Sequence, residues 1–540
     1  MKSPYRWIAL IVLTSLFGVN IYRAATQAIT CDEATTYLLF IRGGFSDAWA
    51  KYNANNHLLF TYLAATSIRI FGLSDFAFRL PSILAGGLYL IAAYRICRNA
   101  FRDGPLFLLA VCLLSLNPFV LDFLSAARGY GMATSFLLCA IYFFLQLDLR
   151  SPQKKILWKL GVTAGLAVGA NLTLFFPIIA MGIVLLAWSW LEGRGFALRP
   201  ALLHGLGPAV LVMALVFTAP FYYAVKLARD KREGKAVATP ALTIGGRSAA
   251  LDVTPRAMPP DKNGNLISQA AKRGFYAGAP SLRICVESLV RVSCFRGPVF
   301  AGSDIHTPMT GFIAWETRVI AGITVIAAGF GCVLAMRMIR GEKLTLTPAT
   351  RLLVLASATM SAALVGVLIS HYALGLLYPE LRMGLYWIPL STLTVVAFLP
   401  QLRRSFALGL GILLVGLLIQ YAAGFQAYYY TEWRYAAATR NIMARIHALE
   451  PAGGTKPFRV GATWQEASSL NYYRDVFHLN SMAFVEGPLA FNEGKGLDEA
   501  DCDFYVLMGD DRLMVARRGL RVLLDDPISA TLLAAPATRN

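Results

Sequence analysis

The chain has 540 residues, 56% of them hydrophobic and 15% charged, with a mean hydropathy of +0.54. Soluble globular domains carry about 25% charged residues, so this composition excludes that class and calls for a membrane. A formal charge of +19 points to nucleic acid in a soluble chain, but here Lys and Arg gather in short clusters between apolar runs, which is a topology signal.

Residues 6–24 form the first apolar run, behind Lys2 and Arg6. A cleaved secretory signal ending near "AATQA" is one reading of it; the many spans that follow favour an uncleaved anchor. Further runs able to cross a hydrocarbon layer of about 30 Å lie at 79–98, 105–122, 130–148, 156–171, 173–191, 203–225, 312–336, 351–374, 384–401 and 405–424. With the N-terminus inside, the loops bearing Arg95, Arg98 and Arg102, Lys154 and Lys155, Arg194, Arg337, Arg340 and Lys343, and Arg403 and Arg404 all fall in the cytoplasm. The segment "HLLFTYLAATSIRIFG", 57–72, is short for a crossing and reads as an interfacial helix on the outer surface.

Three outer pieces follow from this topology: a first loop at 25–78, a basic loop at 226–311 and a small α/β domain at 426–540. The basic loop holds one expected helix, "SLRICVESLVRVSC", with Arg283, Glu287 and Arg291 four residues apart. It also holds Cys285 and Cys294, free or joined by a local disulfide. The last domain has an expected helix around "EWRYAAATRNIMARIHAL" and strand-like "FRVGATW", "DFYVLM" and "LRVLL". Residues 1–425 are then the membrane region. No HExxH, CxxC or GxSxG motif occurs.

Polar residues on the outer side converge: Asp32 and Glu33 after the first span, His57, Arg79, Arg128, Tyr130, Glu380 and Arg382. Charges at membrane depth are expensive and mark functional sites, although any one arginine could simply anchor at headgroups. The first-loop acids separate by local chemistry. Thr30 and Glu33 fit a capping box at the start of "CDEATTYLLFIR", which gives Glu33 a structural task. Asp32 points elsewhere and is the freer candidate for a base, kept ionised by the helix N-terminus. "YYYTEW", 428–433, reads as an interfacial aromatic belt rather than a sugar platform.

The Asp-Glu pair, then "NNHLLFTYLAATSIRIFGLSDFAFRLPSILAG", "SAARGYGMATSFLLCAIYFFL" and "YPELRMGLYWIPL", together resemble the GT-C glycosyltransferase superfamily. The likeness is to the bacterial branch related to protein O-mannosyltransferases and the lipid A aminoarabinose transferase, clearest over 25–150. It implies a GT-C-like polytopic helical protein of about 11 transmembrane helices, with interfacial helices in the first outer loop and a periplasmic α/β domain. It also implies inverting transfer of a sugar from a polyprenyl-phosphate donor to a lipid, glycan or protein hydroxyl, at the periplasmic face of a bacterial inner membrane. On this resemblance Asp32, with Glu33 beside it, is catalytic; Arg79, Arg128 and Arg382 bind the donor phosphate; and His57, Tyr130 and Glu380 bind substrate. The family's His followed by two prolines is here His57-Leu58-Leu59. No cofactor is required, although Asp122 keeps a divalent ion open, and the partners are donor, acceptor and membrane lipids, not nucleic acid. A lipid or solute transporter, and a non-catalytic scaffold for polysaccharide assembly, are the rival readings; gathering of the charges at the outer ends speaks against transport.

Overall fold

In a computed structural model of the chain the apolar runs are helices. It describes residues 3–50, 55–148, 151–192, 198–232, 242–244, 247–249, 278–295, 311–342, 346–450, 457–485 and 501–537. Among the described residues seven helices are long and apolar enough to cross a membrane, α1 (Pro4–Thr26) and α5 (Asp75–Ala100) included. Between these come α2 (Cys31–Phe40), α3 (Phe45–Ala50) and α4 (Leu58–Phe71), the last being the expected short apolar helix. Next are α6 (Pro105–Ser115), α7 (Pro118–Phe123), α8 (Gly129–Leu145), α9 (Lys154–Ala170), α10 (Phe175–Glu192) and α11 (Gly207–Arg232). After α12 (Leu282–Cys294) come α13 (Gly311–Ile339), α14 (Pro348–Leu374), α15 (Trp387–Phe398) and α16 (Arg404–Gly424).

The outer faces are as apolar as the core. Val325 and Ile326 on α13 are 70% and 64% exposed, and Leu408 and Ile412 on α16 are 66% and 63% exposed. Water would penalise such faces and lipid does not, so this is a multi-pass membrane protein. Four of the expected spans are shorter pieces inside the bundle: α6 with α7, α8, α9 and α15.

The basic loop holds α12 as expected, capped by Ser281, with an Arg283–Glu287 pair at 2.7 Å on its exposed side. A short hairpin joins Leu242–Ile244 to Arg247–Ala249; the rest of that loop lies largely outside the described residues. Of the two alternatives for Cys285 and Cys294, the free form holds. Cys285 and Cys294 are both free on one continuous helix, where nine residues span about 13 Å and a disulfide needs Cα atoms within about 7 Å.

The C-terminal part is α/β, as expected, with two differences. The helix at its start is split: a 3-10 segment, Thr431–Ala438, turns at Trp433 before α17 (Thr439–Ala448). Elements beyond the expected set include α18 (Trp464–Val476), a 3-10 turn and short helix over Gly509–Leu513 and Met514–Arg518, and a strand at Thr531–Pro536. Besides the hairpin strands, the sheet strands in chain order are Val460–Ala462, Phe504–Met508, Leu520–Asp526 and Thr531–Pro536. The first two pair in parallel, and the last strand lies antiparallel between the second and the third.

That domain is seated on the first outer loop through α18, which lies along α2. Thr35 bonds Ser468 at 3.2 Å, Arg42 pairs with Asp475 at 2.7 Å, and the Ile29 N–H donates to the Tyr473 hydroxyl at 2.8 Å. The ring of Tyr472 packs edge-on against Tyr37 and stacks on Phe78. The helix bearing Asp32 is therefore held between the bundle and the domain.

Candidate active site

The capping box at residue 30 forms. The Thr30 hydroxyl accepts from the Glu33 N–H at 3.2 Å, and Glu33 Oε2 accepts from the Thr30 N–H at 2.8 Å. Glu33 has further duties, because its side chain is fully enclosed and paired with an equally enclosed Arg79 at 2.7 Å. Its Oε1 also accepts from the Ala127 backbone N–H.

Arg79 spends every donor it has on the protein. Nε and Nη2 reach Glu33 at 2.9 and 2.7 Å, Nη1 reaches the carbonyls of Gln27 and Ala24 at 2.7 and 3.2 Å, and Nη2 reaches that of Ala28 at 2.9 Å. No N–H remains for a ligand. Two sequence-based expectations, Glu33 as catalytic and Arg79 as phosphate-binding, meet side chains committed to each other and to the backbone, and Arg79 ties the start of the first loop to α5.

Asp32 points the other way, as neighbours on a helix must. Its carboxylate is 2.8 Å from Arg382 and its side chain keeps 21% exposure. The same guanidinium reaches Glu432 at 3.3 Å and lies 5.4 Å over the ring of Trp433, and it is 30% exposed. Burial pushes the Asp32 carboxyl up. Arg382 and Arg128, with a hydrogen bond from Trp433, outweigh burial and hold it below the usual aspartate range. The result is a partly open, ionised carboxylate against a cation.

Arg128 is only 1% exposed and acts from beneath. Its Nη1 donates to the Asp32 carbonyl at 3.2 Å and the Thr36 hydroxyl at 2.8 Å, and its Nη2 donates to the Asn55 side chain. It therefore positions the α2 N-terminus while lending field to Asp32. Tyr130 lies under Arg128, with 5.8 Å between guanidinium and ring centre, and it hydrogen-bonds Arg382. The ring of His57 meets Tyr130 edge-on at 4.5 Å. Burial, then Arg128 and Arg382, push the His57 imidazole well below its ordinary value, so it is neutral. It bonds the Ala170 carbonyl, and its Nε2 has no partner among the described residues.

The "RGYG" turn that delivers Arg128 and Tyr130 depends on its glycines. A Cβ on Gly129 would lie 2.1 Å from the Ala170 carbonyl oxygen, and one on Gly131 would lie 1.9 Å from that of Phe123. Glu380, in the turn before Arg382, sends its field to Cys285 on α12, and Leu381 next to it bonds Ser288 on the same helix. Asp122 is committed to Arg23 and to the Thr431 N–H at 2.7 Å. Among the described residues no group of three or more His, Cys, Asp or Glu side chains is placed to hold a metal ion.

The ends of α1, α5, α8 and α16 and the turn between α14 and α15 thus meet at one end of the bundle. Reasoning from sequence missed Glu432 and Trp433. The signal lay in "YYYTEW", where an acid sits beside a tryptophan just past the last apolar helix; a belt of interfacial aromatics explains the tyrosines and leaves Glu432 unexplained. Only Tyr428, 71% exposed, behaves as a belt residue, since Tyr430 is buried with Arg23 and Arg79 at 5.1 and 5.2 Å from its ring centre.

Residues 55–223 match the family model described as dolichyl-phosphate-mannose-protein mannosyltransferase. The resemblance to GT-C glycosyltransferases holds over that stretch. It spans about a third of the chain and includes His57, Arg79, Arg128 and Tyr130, but neither Asp32 nor Arg382. No curated protein matches the chain. Among solved structures, ArnT from Cupriavidus metallidurans bound to undecaprenyl phosphate is 14% identical, with a TM-score of 0.42 over 99% of both chains. The oligosaccharyltransferase AglB from Archaeoglobus fulgidus, in complex with an inhibitory peptide and a dolichol-phosphate, is 12% identical, with a TM-score of 0.44 over 99% of this chain and 74% of that one. At these values the two likenesses carry no further weight.

Proposed function

We propose that the protein is an integral-membrane inverting glycosyltransferase that moves a sugar from a polyprenyl-phosphate donor to a hydroxyl of a lipid, glycan or protein acceptor. The observation that carries this reading is the Asp32–Arg382 pair, 2.8 Å apart and partly open, beside a carboxylate and an arginine that are sealed. In a single displacement Asp32 takes the acceptor's hydroxyl proton as that oxygen bonds to the anomeric carbon. The bond from that carbon to the phosphate oxygen breaks, its electron pair leaves with the oxygen, and polyprenyl phosphate departs with a second negative charge. Arg382 meets that charge. Fixed guanidinium groups in a poorly hydrated site do this well, and positioned base help supplies about a hundred- to ten-thousand-fold.

Of the three arginines expected at the phosphate, Arg382 alone has exposed surface to offer, so it takes the donor while Arg128 sets Asp32. Ligand phosphate competes with Asp32 and Glu432 for Arg382. As that pairing loosens, burial raises the basicity of Asp32 at the moment it is needed. The proposed toolkit uses no metal, Asp122 being committed to Arg23. The basic loops support an orientation with the N-terminus cytoplasmic, and the reading puts the site at the periplasmic face of a bacterial inner membrane.

Asp32→Asn tests the reading. In detergent, where transport cannot occur, wild-type protein should transfer or hydrolyse sugar from a polyprenyl-phosphate donor. The variant should keep its fold and bind polyprenyl phosphate while turnover drops at least a hundredfold. Near-normal turnover in the variant removes Asp32 from the chemistry.

A further inference from the structure

Four buried carboxylates near the junction of bundle and C-terminal domain each face a guanidinium: Glu33 meets Arg79, Asp75 meets Arg440, Asp122 meets Arg23, and Glu432 meets Arg382. Glu466 does not. It lies in the first turn of α18 with 0% exposure, and among the described residues no cation pairs with it. Its Oε2 is 2.7 Å from the Thr439 hydroxyl on α17, and its Oε1 has no partner among the described residues. The same hydroxyl is 3.0 Å from the Ala436 carbonyl, and one hydroxyl hydrogen cannot serve both acceptors. A neutral Glu466 resolves the conflict: its own O–H donates to Thr439, and Thr439 donates to Ala436. An ionised carboxylate there would be buried with no compensating charge, which proteins avoid by holding the proton.

The position matters because α18 and α2 run side by side, Ser468 against Thr35 and Asp475 against Arg42, so their N-terminal turns are at the same end. The titratable groups that face Glu466 from the packed elements are Cys31 on α2 and Tyr435 on the 3-10 segment, and both also sense Asp32. Burial, with Asp32 and Glu466 adding to it, pushes the Cys31 thiol up to about 12 and the Tyr435 phenol well above its ordinary value, so neither supplies a counter-charge.

We propose that Glu466 is a positioning residue that works as the neutral acid: protonated, it seats the C-terminal domain on the helix that carries Asp32, and its ionisation loosens that seat. Its effect on turnover rests on Asp32 being the base; its effect on the seat does not. Burial, opposed by the hydrogen bond shared with Thr439, pushes the Glu466 carboxyl up to about 7. Free glutamate ionises near about pH 4.3, so the unseated form loses its proton first. The seat therefore weakens about tenfold per pH unit from there to about pH 7, then levels off.

Two measurements on the full-length protein in detergent test this. Hydrogen exchange of α2 and α18 amides, corrected for intrinsic pH dependence, should show opening that rises up to about pH 7 in wild type and stays flat in Glu466→Gln. The kcat/KM profile should have an alkaline limb near pH 7 that Glu466→Gln removes, with the acid limb unchanged. Should that variant not fold, wild-type infrared titration still decides, through a protonated-carboxyl band that fades near pH 7. Flat exchange in wild type, a slope or alkaline limb that survives in the Gln variant, or absence of the band overturns the proposal. A protonation-dependent seat in a protein with no turnover would support Glu466 and sink the glycosyltransferase reading instead.

Discussion

Arg79→Ala separates a structural arginine from a ligand-binding one. The side chain is enclosed and makes five hydrogen bonds of 2.7 to 3.2 Å, two to Glu33 and three to backbone carbonyls at the end of α1 and the start of the first loop. Truncation strands the Glu33 carboxylate in a dry site together with the carbonyls of Ala24, Gln27 and Ala28. Breaking a buried pair by removing one partner costs about 3–5 kcal/mol, against a total stability of about 5–15 kcal/mol for a typical domain. Folded, monodisperse protein should be largely lost, and whatever is recovered should unfold at a clearly lower temperature in the same detergent. Adding Glu33→Gln should restore part of the loss, because the stranded group is then neutral, while the Gln oxygen still accepts from Thr30 or Ala127. Thermal unfolding of the single and double variants, with polyprenyl phosphate binding measured alongside, gives the coupling. An Arg79→Ala protein that melts like wild type but no longer binds polyprenyl phosphate would show that the arginine reaches the ligand, and the account of the loop anchor would be wrong.

Two further outcomes follow from the site. Trp433→Phe keeps a ring under Arg382 and deletes the indole N–H that helps hold the Asp32 carboxyl below its ordinary range, so that carboxyl should rise. The sign is fixed: a depressed carboxylate pKa gives an advantage present above the free aspartate range and lost as pH falls through the folded value, so the acid limb of kcat/KM should move to higher pH, and an unmoved limb refutes the contact. Gly131→Ala puts a methyl group 1.9 Å from the Phe123 carbonyl, which a well-packed turn cannot accommodate, so destabilisation of more than about 2 kcal/mol is expected in thermal unfolding; a variant with wild-type stability would mean that the turn shifts freely.

The helical bundle was legible in the sequence because hydropathy is a one-dimensional signal, and the outer faces of α13 and α16 are apolar for the same reason that their runs are. The capping box of Thr30 and Glu33 was legible too, since it is written in four consecutive residues. The arginines were not. Arg79, Arg128 and Arg382 have the same sequence signature, a cation at the end of an apolar run, and what separates them is whether protein oxygens already fill their donors. Arg79 is filled by Glu33 and three carbonyls, Arg128 is turned onto Thr36 and Asn55, and Arg382 keeps an open side. No local pattern encodes that, because the partners lie tens to hundreds of residues away. The same reasoning explains Glu466 and Glu432. A glutamate in "WQEASS" or "YTEW" reads as a solvated helix-start charge until the fold encloses it, and then its role depends on whether a guanidinium came with it: Glu432 has Arg382 and joins the site, whereas Glu466 has none and must carry a proton instead.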